Sequence, residues 1–266
     1  MPGVVFQRKS LRRDLGIRRL HETVLGTTRL LASGPATTFV VMDSIYANTD
    51  FSGQGLYERA WIRAGSADYR VGSFNTQSGA WLGGNLLQST IPSGGDFEVH
   101  TKMDPAVMDQ YIDETIMQLR VRQEVGIRTI DGLTFYTLDG AASPGTIKSV
   151  LNVYYFGNPN GSLDRERHDL TQEQVIFTAT GMELRLPGGL GASMQIVLDA
   201  MLQVSLGAGD AATVNLGQYD EEVVLWGAAA RCYDSMMQDA PGQDFGNYAV
   251  LNKRAVGMAN QLLKKG

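Results

Sequence analysis

The last stretch of the chain, from Asp220 to Gly266, constrains the fold most, because it reads as two consecutive helices joined by a hard turn at Pro241-Gly242. In the second helix, Tyr248, Leu251, Ala255, Met258 and Leu262 recur at alternating spacings of three and four, which makes one narrow apolar stripe. Asn252, Lys253, Arg254, Asn260 and Gln261 fall on the other face. Asp244 stands where an N-cap belongs, and Lys264 and Lys265 lie at the end where the helix dipole favours cations. The first helix opens at Asp220 with Glu221 and Glu222 and then runs from Val223 to Ala230 apolar nearly all round. That pattern predicts a buried helix whose small residues admit a close neighbour. The stripe on the second helix has two readings, packing against the first helix or docking on a neighbouring molecule.

Upstream, the pattern changes from helical spacing to short strands. A chain of 266 residues has room for one large or two modest domains, and most of its 31 glycines lie in the first three quarters, as turns between strands would place them. Residues 1–9 read as an arm. Ser10 is a plausible N-cap, and Leu11, Leu15, Leu20, Val24 and Leu25 suggest a helix stopping at Gly26. Thr27–Ala32, Thr37–Met42, Leu56–Arg63, Tyr69–Phe74 and Phe97–Thr101 read as strands punctuated by Ser33-Gly34-Pro35, Ser78-Gly79 and Ser93-Gly94-Gly95-Asp96. Asp104-Pro105 is an N-cap followed by proline at the first helical position. Met108, Ile112, Thr115, Ile116 and Leu119 then form an apolar stripe, and Gly126 is the expected stop. Leu133–Leu138, Ile147–Phe156, Gln174–Phe177, Met182–Leu186 and Met194–Leu202 read as further strands.

The expected class is therefore α+β, with small antiparallel barrels or sandwiches combined with an N-terminal, a central and a paired C-terminal helix. The segments fall at 1–26 (arm and helix), 27–102 (first β-domain), 103–126 (central helix), 127–206 (second β-unit) and 207–266 (helical pair).

Charge is distributed unevenly. Seven basic residues, among them Arg12 and Arg13, stand against Asp14 and Glu22 up to Arg29, and four follow Asp244 with no acid. The rest of the chain carries twelve basic and twenty-six acidic residues. An acidic body argues against tight nonspecific duplex binding, which needs Lys and Arg clustered against phosphates. The basic ends suit an acidic protein surface or nucleic acid, and solvated helix faces equally. The single cysteine, Cys232, reads as a small buried hydrophobe and permits no disulfide within the chain. Gly3-Val4-Val5-Phe6 is too short for a secretion signal, and no apolar run approaches the roughly 18 residues of a membrane span.

Little in the chain suggests bond-making chemistry. His168 lies among Asp164, Arg165, Glu166, Arg167 and Asp169, which reads as a solvated charge cluster because arginines interleave with the carboxylates. Glu98 and His100 alternate onto one face of a strand and read as a surface pair. Gly188-Gly189-Leu190-Gly191-Ala192-Ser193 lacks the order of a phosphate-binding loop and reads as a turn. Trp61, Trp81 and Trp226 show no stacking pattern with flanking basic residues and read as core or interface packing. No catalytic residue, cofactor or metal is expected.

Taken in order, several patterns carry a resemblance. Ser10-Leu11-Arg12-Arg13-Asp14-Leu15-Gly16 leads into Thr37-Thr38-Phe39-Val40-Val41-Met42-Asp43. Arg70-Val71-Gly72-Ser73-Phe74-Asn75-Thr76-Gln77-Ser78-Gly79 and Ile91-Pro92-Ser93-Gly94-Gly95-Asp96-Phe97-Glu98-Val99 follow, and the chain closes with Glu221 to Tyr233, Pro241-Gly242-Gln243-Asp244 and the last helix. This arrangement resembles the head–tail adaptor (connector, neck) proteins of tailed bacteriophages. The resemblance implies a virion structural protein made in the host bacterial cytoplasm. It implies a ring, typically a dodecamer, that binds the portal protein and tail or neck proteins and lets duplex DNA pass without sequence-specific binding. Contacts between neighbouring copies would be heterologous and would close the ring. On this reading the docking residues are Tyr248, Leu251, Ala255, Met258 and Leu262, with Arg12 and Arg13 in the basic N-terminal segment. The alternatives are another tail, baseplate or fibre-attachment protein and, from a different class, a carbohydrate-binding β-sandwich module or esterase-like enzyme.

Overall fold

A computed structural model describes residues 5–27, 36–40, 61–64, 67–75, 80–87, 96–128, 133–138, 146–156, 167–169, 174–178, 181–186, 195–240 and 243–265. In chain order the elements are β1 (Val5–Gln7), α1 (Arg8–Asp14) with a π-helical continuation (Leu15–Leu20), β2 (Thr23–Thr27), β3 (Ala36–Val40), β4 (Trp61–Ala64), β5 (Ala67–Asn75), β6 (Ala80–Leu87), β7 (Asp96–His100) and α2 (Pro105–Gln118). They continue with β8 (Val121–Arg128), β9 (Phe135–Thr137), β10 (Thr146–Phe156), β11 (Arg167–Asp169), β12 (Gln174–Thr178), β13 (Gly181–Arg185), β14 (Gln195–Gln203), β15 (Thr213–Asn215), α3 (Glu221–Asp239) and α4 (Gln243–Leu263). The class is α+β, and the registered strand pairs are antiparallel. The sheets are open in their described residues, and none closes into a barrel.

Two compact units are present. One comprises Met1–Val5, Ile116–Leu206 and Val214–Asp220. It holds a four-stranded sheet in the order β11-β10-β14-β8 and a three-stranded sheet in the order β12-β13-β9. Strand β14 is central, and it buries Ile196, Leu198, Ala200 and Leu202 on the alternate positions that period-2 geometry places on one face. Gly217 turns the chain at φ +58°, in the left-handed region, and a Cβ there would meet Val121 Cγ1 at 2.5 Å.

The other unit comprises Phe6–Thr115, Gly207–Thr213 and Glu221–Gly266. Its sheet has the order β2-β7-β4-β5-β6-β3. The α1 segment and its continuation pack on α3, and α3 packs along α4. Helix α3 buries Val223, Val224, Leu225, Ala228, Ala229, Cys232 and Tyr233, as its nearly all-round apolar sequence requires. Gly227 is the close approach that its small residues suggest: a Cβ there would meet Thr115 Cγ2 of α2 at 2.5 Å.

Three expectations need correction. Helix α1 starts at Arg8, not after a Ser10 cap, because carbonyls from a distant segment satisfy its free N–H groups: Arg8 N donates to Ala212 O at 2.9 Å and Lys9 N to Asp210 O at 3.3 Å. The helix does not reach Gly26. It ends at His21, which takes left-handed φ 51°, and Val24 and Leu25 pair in β2 with Val99 and Glu98. The central helix stops at Gln118, not Gly126, because Val121–Leu202 to Arg128–Gln195 pairing claims the following residues for β8. The proline start is as read, with Ala106 N donating to Asp104 Oδ1 at 2.8 Å. Expected strands at Leu133–Leu138, Ile147–Phe156, Gln174–Phe177, Met182–Leu186 and Met194–Leu202 are found within a residue or two. Turns at Ser33-Gly34-Pro35, Ser93-Gly94-Gly95 and Gly188-Gly189 lie outside the described residues.

Candidate functional site

Helix α4 presents two different apolar faces. The stripe legible in the sequence turns toward α3: Ala255 is fully buried, the Tyr248 ring stacks on Tyr233 with centroids 6.4 Å apart, and Asn252 Nδ2 donates to Ala230 O at 2.7 Å. Leu251 is at its margin, while Met258 and Leu262 are half-buried. Part of the stripe thus packs on α3, while Leu251 is left 37% exposed. A second face, overlooked in the spacing, leaves Phe245 52%, Val256 42% and Leu263 40% exposed. At 3.6 residues per turn these three fall within about 20° of one another. Lys253 and Lys264 are exposed beside them. The signal was available: the three residues are spaced by eleven and seven, which is a helical repeat.

Arg12 does not lie on the surface. Its side chain is fully buried and engages three carboxylates: Glu98 through Nε at 2.8 Å and Nη2 at 3.1 Å, Asp109 through Nη1 at 3.0 Å, and Asp210 through Nη1 at 2.9 Å and Nη2 at 3.1 Å. Arg13, largely buried, donates to Glu98 Oε1 at 2.8 Å. Arg63 of β4 chelates Asp68 at 2.6 and 2.7 Å and reaches Asp109. Arg8 donates to Asp113 and to Gly207 O, both at 2.9 Å. Glu98 and His100 are 1% and 0% exposed, not the surface pair that strand alternation suggested, and His100 Nε2 lies 3.1 Å from Glu98 Oε2. Burial alone would raise the Glu98 carboxyl. Hydrogen bonds from His100 and Arg12 and the Arg12 charge outweigh it and hold Glu98 well below the usual carboxylate range. Burial alone would lower Arg12, but its carboxylate partners Glu98, Asp210 and Asp109 raise it.

This cluster ties α1, β4, β7, α2 and the Gly207–Thr213 segment together. It is a structural clamp: each of its carboxylates is already engaged by guanidinium, and no group of metal-ligating side chains occurs among the described residues. Cys232 is buried and its thiol is pushed up, first by burial and then by the charge of Glu22. His168 lies in β11 opposite Tyr155, and the rest of its acidic and basic neighbourhood, Asp164 to Glu166, lies outside the described residues. Trp226 does have a basic partner, supplied by the fold: the Arg19 guanidinium sits 4.1 Å from its ring centroid and Arg254 at 5.9 Å. Arg18 and Arg19 also pair with Glu222, and Arg18 with Glu221 at 2.8 Å, at the start of α3.

No helix among the described residues is long and apolar enough to cross a membrane. The fold and the site together define an α+β protein with a charge-clamped interior and one helix that keeps an apolar, lysine-flanked face outside. Comparisons with protein families, with curated proteins and with solved structures find no match to this chain.

Proposed function

We propose that this chain is a head–tail adaptor of a tailed bacteriophage, a virion protein that forms a ring beneath the portal, continues the DNA channel and joins capsid to tail. The observation that carries this reading is the outer face of α4, where Phe245, Val256 and Leu263 stay exposed beside Lys253 and Lys264. Large apolar side chains aligned on one side of a helix are a common means of helix-in-groove recognition. A chain whose body is acidic and whose last helix carries only basic charges after Asp244 has complementary ends and flanks for head-to-tail contact between copies or with a portal subunit. The order of patterns from Ser10 to the last helix supports the same class. On this reading Arg12 and Arg13 hold the protomer's interior together, and the docking role passes from the inner stripe of α4 to its outer face. Duplex DNA would pass without being gripped, because the acidic body offers phosphates little attraction.

Negative-stain microscopy of the purified full chain, alone and mixed with portal protein, tests the proposal. Closed rings, or rings stacked coaxially on portal, are the expected images. A monomer at all accessible concentrations that neither binds portal nor occurs in purified virions refutes it.

A further inference from the structure

Glu22 is a buried carboxyl at a structural joint. It follows the left-handed residue His21 and begins the turn into β2. Only 4% of the residue is exposed. Its backbone N–H donates to Gly16 O at 3.0 Å, and its carbonyl accepts Thr101 N at 3.3 Å and Thr101 Oγ1 at 3.1 Å. Its side-chain Oε2 accepts the N–H groups of Lys102 at 2.6 Å and Met103 at 3.1 Å. Its other oxygen, Oε1, is buried and has no hydrogen-bond partner. One residue therefore pins the end of the first helix to the segment that launches α2, and it does so with a carboxyl that is half satisfied.

We propose that Glu22 is a proton-operated latch: in its neutral form it holds the His21–Thr23 corner to the Thr101–Met103 segment, and on ionising it loosens that joint. The physical reason is the orphaned Oε1. The neutral form leaves one O–H unmet there, but an ionised carboxylate spreads a full charge over both oxygens, and a buried charged oxygen without donors costs more until water reaches it. Opening the joint lets water in and releases the Lys102 and Met103 N–H groups.

Groups on the link to α2, on α3, on α4 and across β2 face this carboxyl. From the link to α2, Lys102 and the Lys102 and Met103 amides favour its ionised form, but burial is the larger effect and pushes it up to about 7. From α3, the Cys232 thiol and Tyr233 hydroxyl are both raised, chiefly by burial, and stay neutral through this range; from α4, Tyr248 is raised likewise. Tyr233 hydroxyl is engaged in donating to Arg19 O at 2.5 Å. Across β2, Thr23 pairs with His100, whose ring is joined to Glu98 and through it to Arg12, and His21 is exposed beside Glu22. The two histidines are the competitors that a test must separate. Because the folded carboxyl sits above its unfolded value of roughly 4.3, the closed joint is favoured at low pH and loses support as pH rises through about 7. The latch operates whether or not the chain assembles with partners.

Hydrogen exchange on the full chain, corrected for the intrinsic pH dependence of amide exchange, reads the joint directly. Protection of the Lys102 and Met103 amides should fall about tenfold or more between about pH 5.5 and about pH 8.5 in the native chain. In Glu22→Gln, which keeps an acceptor for both amides and cannot ionise, protection should change less than about threefold over the same range. The carboxyl carbon of Glu22 in ¹³C-glutamate-labelled native protein should titrate near neutrality, a measurement that decides the matter even if the variant fails to fold. A Glu22 carboxyl titrating in the ordinary carboxylate range, native protection that is flat with pH, or a Glu22→Gln variant that keeps the native pH dependence (the histidines then being its source) each overturns the latch.

Discussion

Replacing Arg12 with methionine is the perturbation that most directly probes how this interior is held. Methionine keeps the unbranched stem and leaves α1 its helix propensity, so the change isolates the guanidinium. The consequences follow carboxylate by carboxylate. Asp210, 23% exposed at its side chain, can turn to water, and Asp109 keeps Arg63. Glu98, 2% exposed at its side chain, keeps Arg13 on Oε1 and His100 on Oε2 but loses the bidentate partner that matched both its oxygens. Breaking one side of a buried ionic cluster costs about 3–5 kcal/mol, because the stranded charge remains. Single domains are stable by about 5–15 kcal/mol, so this is a large share of the total. The expected result is a clear drop in urea midpoint at pH 7, with the slope unchanged.

Trp61, Trp81 and Trp226 all lie in the unit that holds the cluster, so tryptophan fluorescence follows its unfolding specifically. The pH dependence supplies a second reading. Glu98 is depressed in the folded state, so its stabilisation is present above the unfolded carboxylate value of about 4.3 and is lost as pH falls from there toward its folded value. The gap between native and Arg12→Met stability should therefore narrow below about pH 4, where Glu98 takes up a proton in the weakened variant first. A variant within about 1 kcal/mol of native at pH 7 would show that repacking replaces the ions at no cost, as hydrophobic substitutes sometimes do, and would refute the clamp as a source of stability.

Gly227→Ala sets a gain of about 1 kcal/mol in helix propensity against an overpacking cost of about 1–3 kcal/mol. The cost should win, because Thr115 Oγ1 is anchored to Tyr111 O at 2.7 Å and its methyl cannot easily swing away from the new Cβ; a higher thermal midpoint would contradict this contact. Asp104→Ala removes the cap on Ala106 N and should cost about 1 kcal/mol by urea denaturation, whereas no loss would mean the helix start is held by Pro105 and packing alone. Replacing Phe245, Val256 and Leu263 together with serine should leave the fluorescence-detected unfolding midpoint close to native while abolishing rings and portal binding in microscopy and sedimentation. Rings that persist in this triple variant would move the contact elsewhere on the protomer.

The legible and illegible parts of this fold differ for one physical reason. Periodicity reports what a segment buries along its own length, and where that decides structure the reading succeeds. Helices α3 and α4, the Asp104-Pro105 start and most strands are of this kind. It fails where a partner far along the chain makes the decision. The first turn of α1 is satisfied by carbonyls of Asp210 and Ala212, and β8 exists because β14 pairs with it. Binary pattern also assigns every charge to the surface, and here that assumption hides the interior of one unit. Arg12 lies one position from Leu11, and Glu98 lies between Phe97 and Val99; each apolar neighbour is itself buried, so each charge sits in a stretch with little room to face water. A charge so placed must find counter-charges, and the acidic excess of the body supplies them in Glu98, Asp109 and Asp210. Part of the charge imbalance that looks like a surface property is thus consumed inside. The basic N-terminal segment loses Arg8, Arg12 and Arg13 to internal pairs, and the freely presented basic charge shifts toward α4, where Lys253, Lys264 and Lys265 stand exposed. For recognition by an acidic partner, the C-terminal helix is then the end of the chain with charge to offer, and the apolar face beside those lysines is where such a partner would gain its contact area.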